Sequence, residues 1–206
     1  MARRIAPGQT LVLASHNRGK LREITALLRP HSVELVSAGA LGLPEPAETA
    51  PDFAGNARIK ALAAAEGSGL PALSDDSGFC VAALGGQPGV FSARWAGQAK
   101  DFDVAMGMVK DRLGDRRDRR AWFIAALCLA WPDGHTETFL GRIDGAVTWP
   151  PRGAKGFGYD PIFVPAGDHQ TFGEMEPDQK HAISHRARAF AQVLASCFAG
   201  RPDPHP

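Results

Sequence analysis

What this sequence lacks first of all is an excess of charge of either sign. Its 23 Lys and Arg face 22 Asp and Glu, for a formal net charge of +1. The molecule as a whole therefore offers no surface for a polyanion, and any phosphate chemistry has to be local. Cysteine is also scarce. Cys80, Cys128 and Cys197 stand far apart in apolar segments, with neither CxxC spacing nor an even count, which argues against a zinc site or a disulfide framework and for buried free thiols. No apolar run reaches the ~18 residues of a membrane span. The opening MARRIAPGQT has two arginines but no apolar leader core. A reducing cytoplasm, with no membrane partner, is the expectation. With 44% hydrophobic residues in 206, the chain can bury the core of a single domain.

Strand and helix patterns alternate along the chain. Thr10 to Ala14 is a short apolar run suited to a buried strand, and from Arg18 the spacing of Leu21, Ile24, Leu27 and Leu28 turns helical until Pro30. A second strand is expected from Val33. A loop rich in proline and acid then ends where Asp52 can cap a helix running to about Glu66. PALS leads as a strand into Asp75 and Asp76, where it is expected to end, and FCVAAL resumes as another. Asp101 can cap a helix that turns Val104, Met108 and Leu113 inward and stops at Gly114, and the charge run Asp115 to Arg120 reads as a solvated loop. AWFIAALCLAW and TETFLGRIDGAV flank PDGH as a long hairpin. A last helix is expected after Ser184, burying Phe190, Val193, Leu194 and Cys197 and stopping at Gly200, with a frayed tail over 201–206. The hairpin breaks strict alternation, so the fold class is α/β with a mixed sheet flanked by helices.

Four stretches carry chemistry. SHNRGK, Ser15 to Lys20, sits at a strand-to-helix junction, where free N–H groups and the helix dipole favour an anion; it equally fits an Asn17-capped helix with a surface lysine. It is not a P-loop, because Ala14 and Leu21 stand where that motif needs glycine and a hydroxyl. In ETAPDFAGNARIK, Asn56 and Lys60 share one helical face, with Glu48 upstream on the loop. In SDDSG the adjacent carboxylates of Asp75 and Asp76 repel, which a divalent cation between them or a raised pKa would relieve; structural turns also use these residues. Finally, the Gly153, Gly156 and Gly158 loop with Phe157 and Tyr159, near Lys180, His185 and Arg186, offers stacking faces and donors to a flat heterocycle.

Taken together, SHNRGKLREI, FAGNARIKA, SDDSGFCVAALGGQPGVFSARWAG, GFGYDPIF and KHAISHRARA resemble, in order from about Leu11 to Ala189, the Ham1/RdgB family of non-standard purine nucleoside triphosphate pyrophosphatases. The resemblance implies an elongated mixed sheet in one two-lobed domain with a central cleft. It also implies a homodimer and Mg²⁺-dependent hydrolysis of inosine, deoxyinosine and xanthosine triphosphates to monophosphate and pyrophosphate. Carried over by position, it makes Asp76 the general base and a metal ligand, with Glu48 and Asp75 in the metal shell. Ser15, His16, Asn17, Arg18, Gly19, Lys20, Lys60 and Ser77 would hold the triphosphate. Phe157, Gly158, Tyr159, Asp160, Lys180, His185 and Arg186 would hold the nucleoside. His16 stands where the family commonly has glycine, and Trp95 where it often has tyrosine. The rival readings are a Maf-type nucleotide pyrophosphatase with another base preference and a nucleic-acid-binding module built on DRRDRR; the balanced charge opposes the second.

Overall fold

Six strands form one open sheet in a computed structural model that describes residues 2–198. The expected helix stop at Gly200 and the tail 201–206 lie outside the described residues. The elements in chain order are β1 (Thr10–Ala14), α1 (Arg18–Leu28), β2 (Glu34–Ser37), α2 (Phe53–Ser68), β3 (Ala72–Val81), α3 (Ser92–Trp95), α4 (Phe102–Leu113), β4 (Arg120–Ala130), β5 (Thr136–Val147), β6 (Phe163–Pro165), α5 (Pro177–Ile183) and α6 (His185–Cys197). The sheet order is β2-β1-β3-β4-β5-β6, with β1 parallel to both β2 and β3 and β5 antiparallel to β6. The sheet is therefore mixed, as the interrupted alternation of the sequence requires.

The chain divides into two units, the first built from stretches within Met1–Asp76, Ala126–Leu140 and Ala187–Pro206, the second from Ser77–Ala125 and Gly141–Arg186. In the first unit, Asp52 caps α2 by accepting from Gly55 N at 2.7 Å, and Gly69 closes it in the left-handed conformation with φ 69°. The buried face of α2 is almost all alanine. Ala57, Ala61, Ala64 and Ala65 pack with Val12, Ala14, Ala72, Ala126, Cys128 and Ala130, and side chains this small let helix and sheet approach closely. Ser74 Oγ adds a hydrogen bond to the Ala57 carbonyl at 2.5 Å.

The second unit has an aromatic core. Phe79, Phe123, Phe163 and Phe172 cluster with Met106, Val109 and Leu113, and their rings meet edge-on, tilted or stacked at 4.9 to 6.0 Å. The helix capped by Asp101 is α4, but its inward face is Ala105, Met106, Val109 and Leu113; Val104 is exposed and Met108 half-buried. Residues 105, 109 and 113 form one i, i+4 row, which sets the buried stripe one position away from the expected one.

Three further expectations need correction. The strand does not end at the aspartates: β3 continues through Asp75, Asp76, Ser77 and Gly78 to Val81. What ends there is its neighbour, since Ala14, the last residue of β1, pairs with Ser74. The Gly/Pro-rich stretch contains a strand, β6, and Ser184 ends a separate short helix, α5, before α6 begins. That helix opens on a capping box, with Glu176 and Gln179 bonded reciprocally and Pro177 in its first turn.

Candidate active site

Successive residues of a strand point to opposite faces. Ala72 and Ser74 belong to the α2 face, the first by packing and the second through its bond to Ala57, so Asp76 continues that row and Asp75 faces the other way. The ion pairs follow this alternation. Lys60 of α2 places Nζ 2.9 Å from Asp76 Oδ1 and 2.6 Å from Glu48 Oε1. Lys20 of α1 places Nζ 2.7 Å from Asp75 Oδ1. The repulsion that the sequence suggested a shared cation would relieve is instead met by a separate lysine for each aspartate.

The loop bearing Glu48 is fixed from α2. Asn56, buried one turn before Lys60, accepts from Ala50 N at 2.9 Å, so one helical face supplies both the loop anchor and the ammonium. Burial pushes the Asp76 carboxyl above its ordinary range; Lys60 and Lys20 pull it back, Glu48 pushes with burial, and the net direction is up. For Glu48, burial also pushes up, but the hydrogen bond and charge of Lys60, with help from Lys20, hold it low. Burial opposes the Lys60 ammonium, yet Asp76 and Glu48 outweigh it and raise its pKa. Of the two carboxyls on Lys60, Asp76 is thus the readier proton acceptor.

Asp76 Oδ2 is buried without a hydrogen-bond partner among the described residues. A buried acceptor left bare is costly, and a hard dication is a chemically suitable partner for it. Glu48 and Asp76 together offer the one or two carboxylates that Mg²⁺ ordinarily takes from a protein.

At the start of α1, Asn17 Oδ1 accepts from Gly19 N at 2.9 Å and Lys20 N at 3.2 Å, while Ser15 Oγ accepts from Asn17 N at 3.2 Å. The N–H groups of Asn17, Gly19 and Lys20 are therefore engaged by the cap, and the lysine side chains carry the anion-attracting charge of this unit. Arg18 opens the helix. His16 is exposed, with Nδ1 3.8 Å from Glu45 Oε2 and its ring against Gly39.

In the second unit Asp160 is a hub. Its Oδ2 accepts from Lys180 Nζ at 2.7 Å and from Phe157 N at 2.8 Å. A Cβ on Gly156, whose φ is 76°, would come within 2.1 Å of that same oxygen. Lys180 lies 4.8 Å and Arg186 6.0 Å from the Phe157 ring centroid. Arg186, fully buried, donates from Nη2 to Ser77 Oγ at 2.9 Å, and the His185 ring stacks on Phe123 at 5.0 Å. Gly158 is half-buried in the same loop, in the left-handed conformation. Tyr159 does not present a stacking face: it is 2% exposed, stacked on Phe79 with Phe102 at its edge, and its hydroxyl donates to the Ser92 carbonyl at 2.9 Å. Phe157, half-buried, is the aromatic of this loop that keeps accessible surface.

The Ham1 family sequence profile matches residues 11–196. This chain belongs to the Ham1 family. It is 58% identical over 198 residues to the dITP/XTP pyrophosphatase of Gluconobacter oxydans (strain 621H), covering 96% of this chain and 95% of that one. It is 60% identical over 195 residues to the dITP/XTP pyrophosphatase of Rhodospirillum centenum (strain ATCC 51521 / SW), covering 93% and 96%. Among solved structures, a HAM1 protein from Coxiella burnetii superposes with a TM-score of 0.84 at 39% identity, covering 91% of this chain and 97% of that one. The nucleoside-triphosphatase / dITP/XTP pyrophosphatase from Mycobacterium abscessus gives 0.74 at 40%, covering 90% and 98%.

Two residues of this Ham1 chain that sequence reasoning did not single out brace the site. Ser92 accepts from Phe79 N at 2.9 Å through Oγ, donates to Gly89 O at 2.6 Å and offers its carbonyl to Tyr159. Glu176 caps α5 and accepts from Lys155 Nζ at 2.5 Å, tying the glycine-rich loop to the helix that carries Lys180. The Glu-Pro-Asp-Gln spacing of the capping box was the available signal for the second; the first had none.

Proposed function

We propose that this protein hydrolyses non-standard purine nucleoside triphosphates, those of inosine, deoxyinosine and xanthosine, to the monophosphate and pyrophosphate. The reaction would be Mg²⁺-dependent, in a cytoplasmic homodimer. The observation that carries the reading is the placement of Glu48 and Asp76 on one lysine, with a second Asp76 oxygen buried and bare. The names of the relatives support the substrate class, and the buried free thiols fit a reducing compartment.

In this reading Asp76, with its raised pKa, takes the proton of the attacking water as it adds to the α-phosphorus. Glu48 and Asp76 hold the metal, which when bound supplies charge neutralisation and polarisation of phosphate oxygens. Asp75 fixes Lys20, and Lys20 and Lys60 meet the triphosphate. Ser15, His16, Asn17, Arg18 and Gly19 shape the junction that receives it, and Ser77 orients Arg186. Phe157 gives the base a face, Lys180, His185 and Arg186 supply donors, and Asp160 with Gly158 and Tyr159 holds the loop in place.

The test is to incubate the protein with inosine triphosphate and Mg²⁺ and identify the phosphorus products. Inosine monophosphate and pyrophosphate are expected. Diphosphate and orthophosphate would refute the reading, and a preference for pyrimidine triphosphates across a panel would favour a Maf-type activity.

A further inference from the structure

Lys60 occupies a position that calls for explanation. A lysine destined for phosphate would be expected to reach into solvent, yet this one is 6% exposed and rests on two carboxylates at 2.6 and 2.9 Å. We propose that Lys60 is the resident cation of the Glu48–Asp76 pair, so that the protein takes up a free divalent cation poorly until a triphosphate draws the ammonium away. The proposal rests on the reading of that pair as the metal-holding residues.

Three observations carry it. First, among the described residues no group of three or more His, Cys, Asp or Glu side chains is arranged to hold a metal ion, so the acids are gathered around lysines and not into a cage. Second, Asp75, which could have completed such a cage, is 1% exposed and held by Lys20 at 2.7 Å. Third, Asp76 is 6% exposed and its Oδ2 has no hydrogen-bond partner among the described residues. One acceptor thus stays open beside a pair whose other oxygens already serve an ammonium.

Mg²⁺ and Mn²⁺ demand oxygens at close range and shed water reluctantly, so a bare dication at this pair must either displace the ammonium or sit against it. Displacement leaves Lys60 buried without an anion, and coexistence sets like charges together in a poorly screened place. A triphosphate removes both obstacles by giving Lys60 and Lys20 a polyanion to hold. Linkage makes the effect reciprocal: whatever the triphosphate does for metal affinity, the metal does for the triphosphate. The lysine then serves as an interlock that brings metal and substrate in together.

Mn²⁺ binding without nucleotide, followed through the electron paramagnetic resonance signal of the free ion, tests this on wild type, Lys60→Met and Lys60→Arg. Lys60→Met is expected to bind Mn²⁺ at least ~5-fold tighter than wild type, the low end of typical site-to-site coupling, and Lys60→Arg to remain as weak as wild type. Mn²⁺ binding by Lys60→Met that is equal to or weaker than that of wild type overturns the proposal; so does an equal gain in Lys60→Arg, which would show that shape and not charge is responsible. If circular dichroism shows that Lys60→Met does not fold, the same titration on Lys20→Met decides, with tighter binding expected and unchanged or weaker binding overturning it. Turnover plays no part in this readout, and the product analysis would still give pyrophosphate if Lys60 were no competitor.

Discussion

Lys180 Nζ and Asp160 Oδ2 are 2.7 Å apart, and the two side chains are 5% and 3% exposed. A pair this deep contributes little by comparison with an apolar substitute, but losing one partner strands the other charge. Asp160→Ala should therefore cost about 3 to 5 kcal/mol of stability in urea denaturation. A loss under ~1 kcal/mol, the scale of an exposed pair, would mean that Lys180 finds another anion at once.

Gly156→Ala tests the same hub from the backbone. The new methyl group would fall on Asp160 Oδ2 at a residue with φ 76°, so both sterics and conformation oppose it. The left-handed backbone alone costs roughly 1 to 2 kcal/mol in a residue with a Cβ. The variant should lose at least that in stability and raise KM for inosine triphosphate, because Phe157 N would no longer be held by Asp160. An unchanged KM would remove the loop from substrate binding.

Asp76→Asn keeps the shape of the side chain while removing a charge and a proton acceptor. The rate with inosine triphosphate should fall by at least ~10², with the far-ultraviolet spectrum unchanged. Activity within a few fold of wild type would exclude Asp76 as the base.

Discrimination at the base is assigned to buried donors. Arg186→Gln should erode the inosine-over-adenosine preference more than the inosine-over-guanosine preference, by ~1 to 3 kcal/mol for one charge-assisted bond. The 6-oxo group shared by hypoxanthine and guanine accepts such a bond, whereas the adenine amino group does not. Comparing kcat/KM for the four purine triphosphates in wild type and variant decides it. An unmoved inosine-to-adenosine ratio would show that Arg186, bonded to Ser77, only braces the site.

The thiols give a pH prediction. Burial pushes Cys80 and Cys197 up to about 12, and Cys128 upward as well, from an ordinary value of 9.0. The folded protein keeps these protons longer than the unfolded chain does. Their contribution to stability is therefore full below about pH 9 and is lost as pH rises toward 12. The urea midpoint should fall between pH 8.5 and pH 10.5, and a thiol reagent at pH 8 should label only unfolded protein. Rapid labelling of native protein would contradict the burial.

Much of this site was legible in the sequence, and what was not has identifiable causes. Asn17, Asp52 and Asp101 declared their helices because a cap is a local device, readable within four residues. The course of β3 through the aspartates was not legible, because Asp, Ser and Gly have turn propensities that the sheet overrides. Nor could alternation along one strand show which lysine each acid would meet, since Lys20 and Lys60 come from different helices. Tyr159 was misjudged as a stacking surface because an aromatic beside glycines reads alike whether its ring faces a ligand or the core.

The alanine face of α2 has a consequence for how this protein tolerates change. Ala57, Ala61, Ala64 and Ala65 set the depth at which the helix sits, and that depth fixes how far the Lys60 side chain must stretch to reach Glu48 and Asp76. A valine at 61 would touch no reacting group, yet by lifting the helix it would lengthen that reach, in addition to the ~1 to 3 kcal/mol typical of an overfilled core. Variation at these plain methyl positions would thus surface as a defect in chemistry. A screen reading only residues that line the site would miss the positions where the enzyme is most easily detuned.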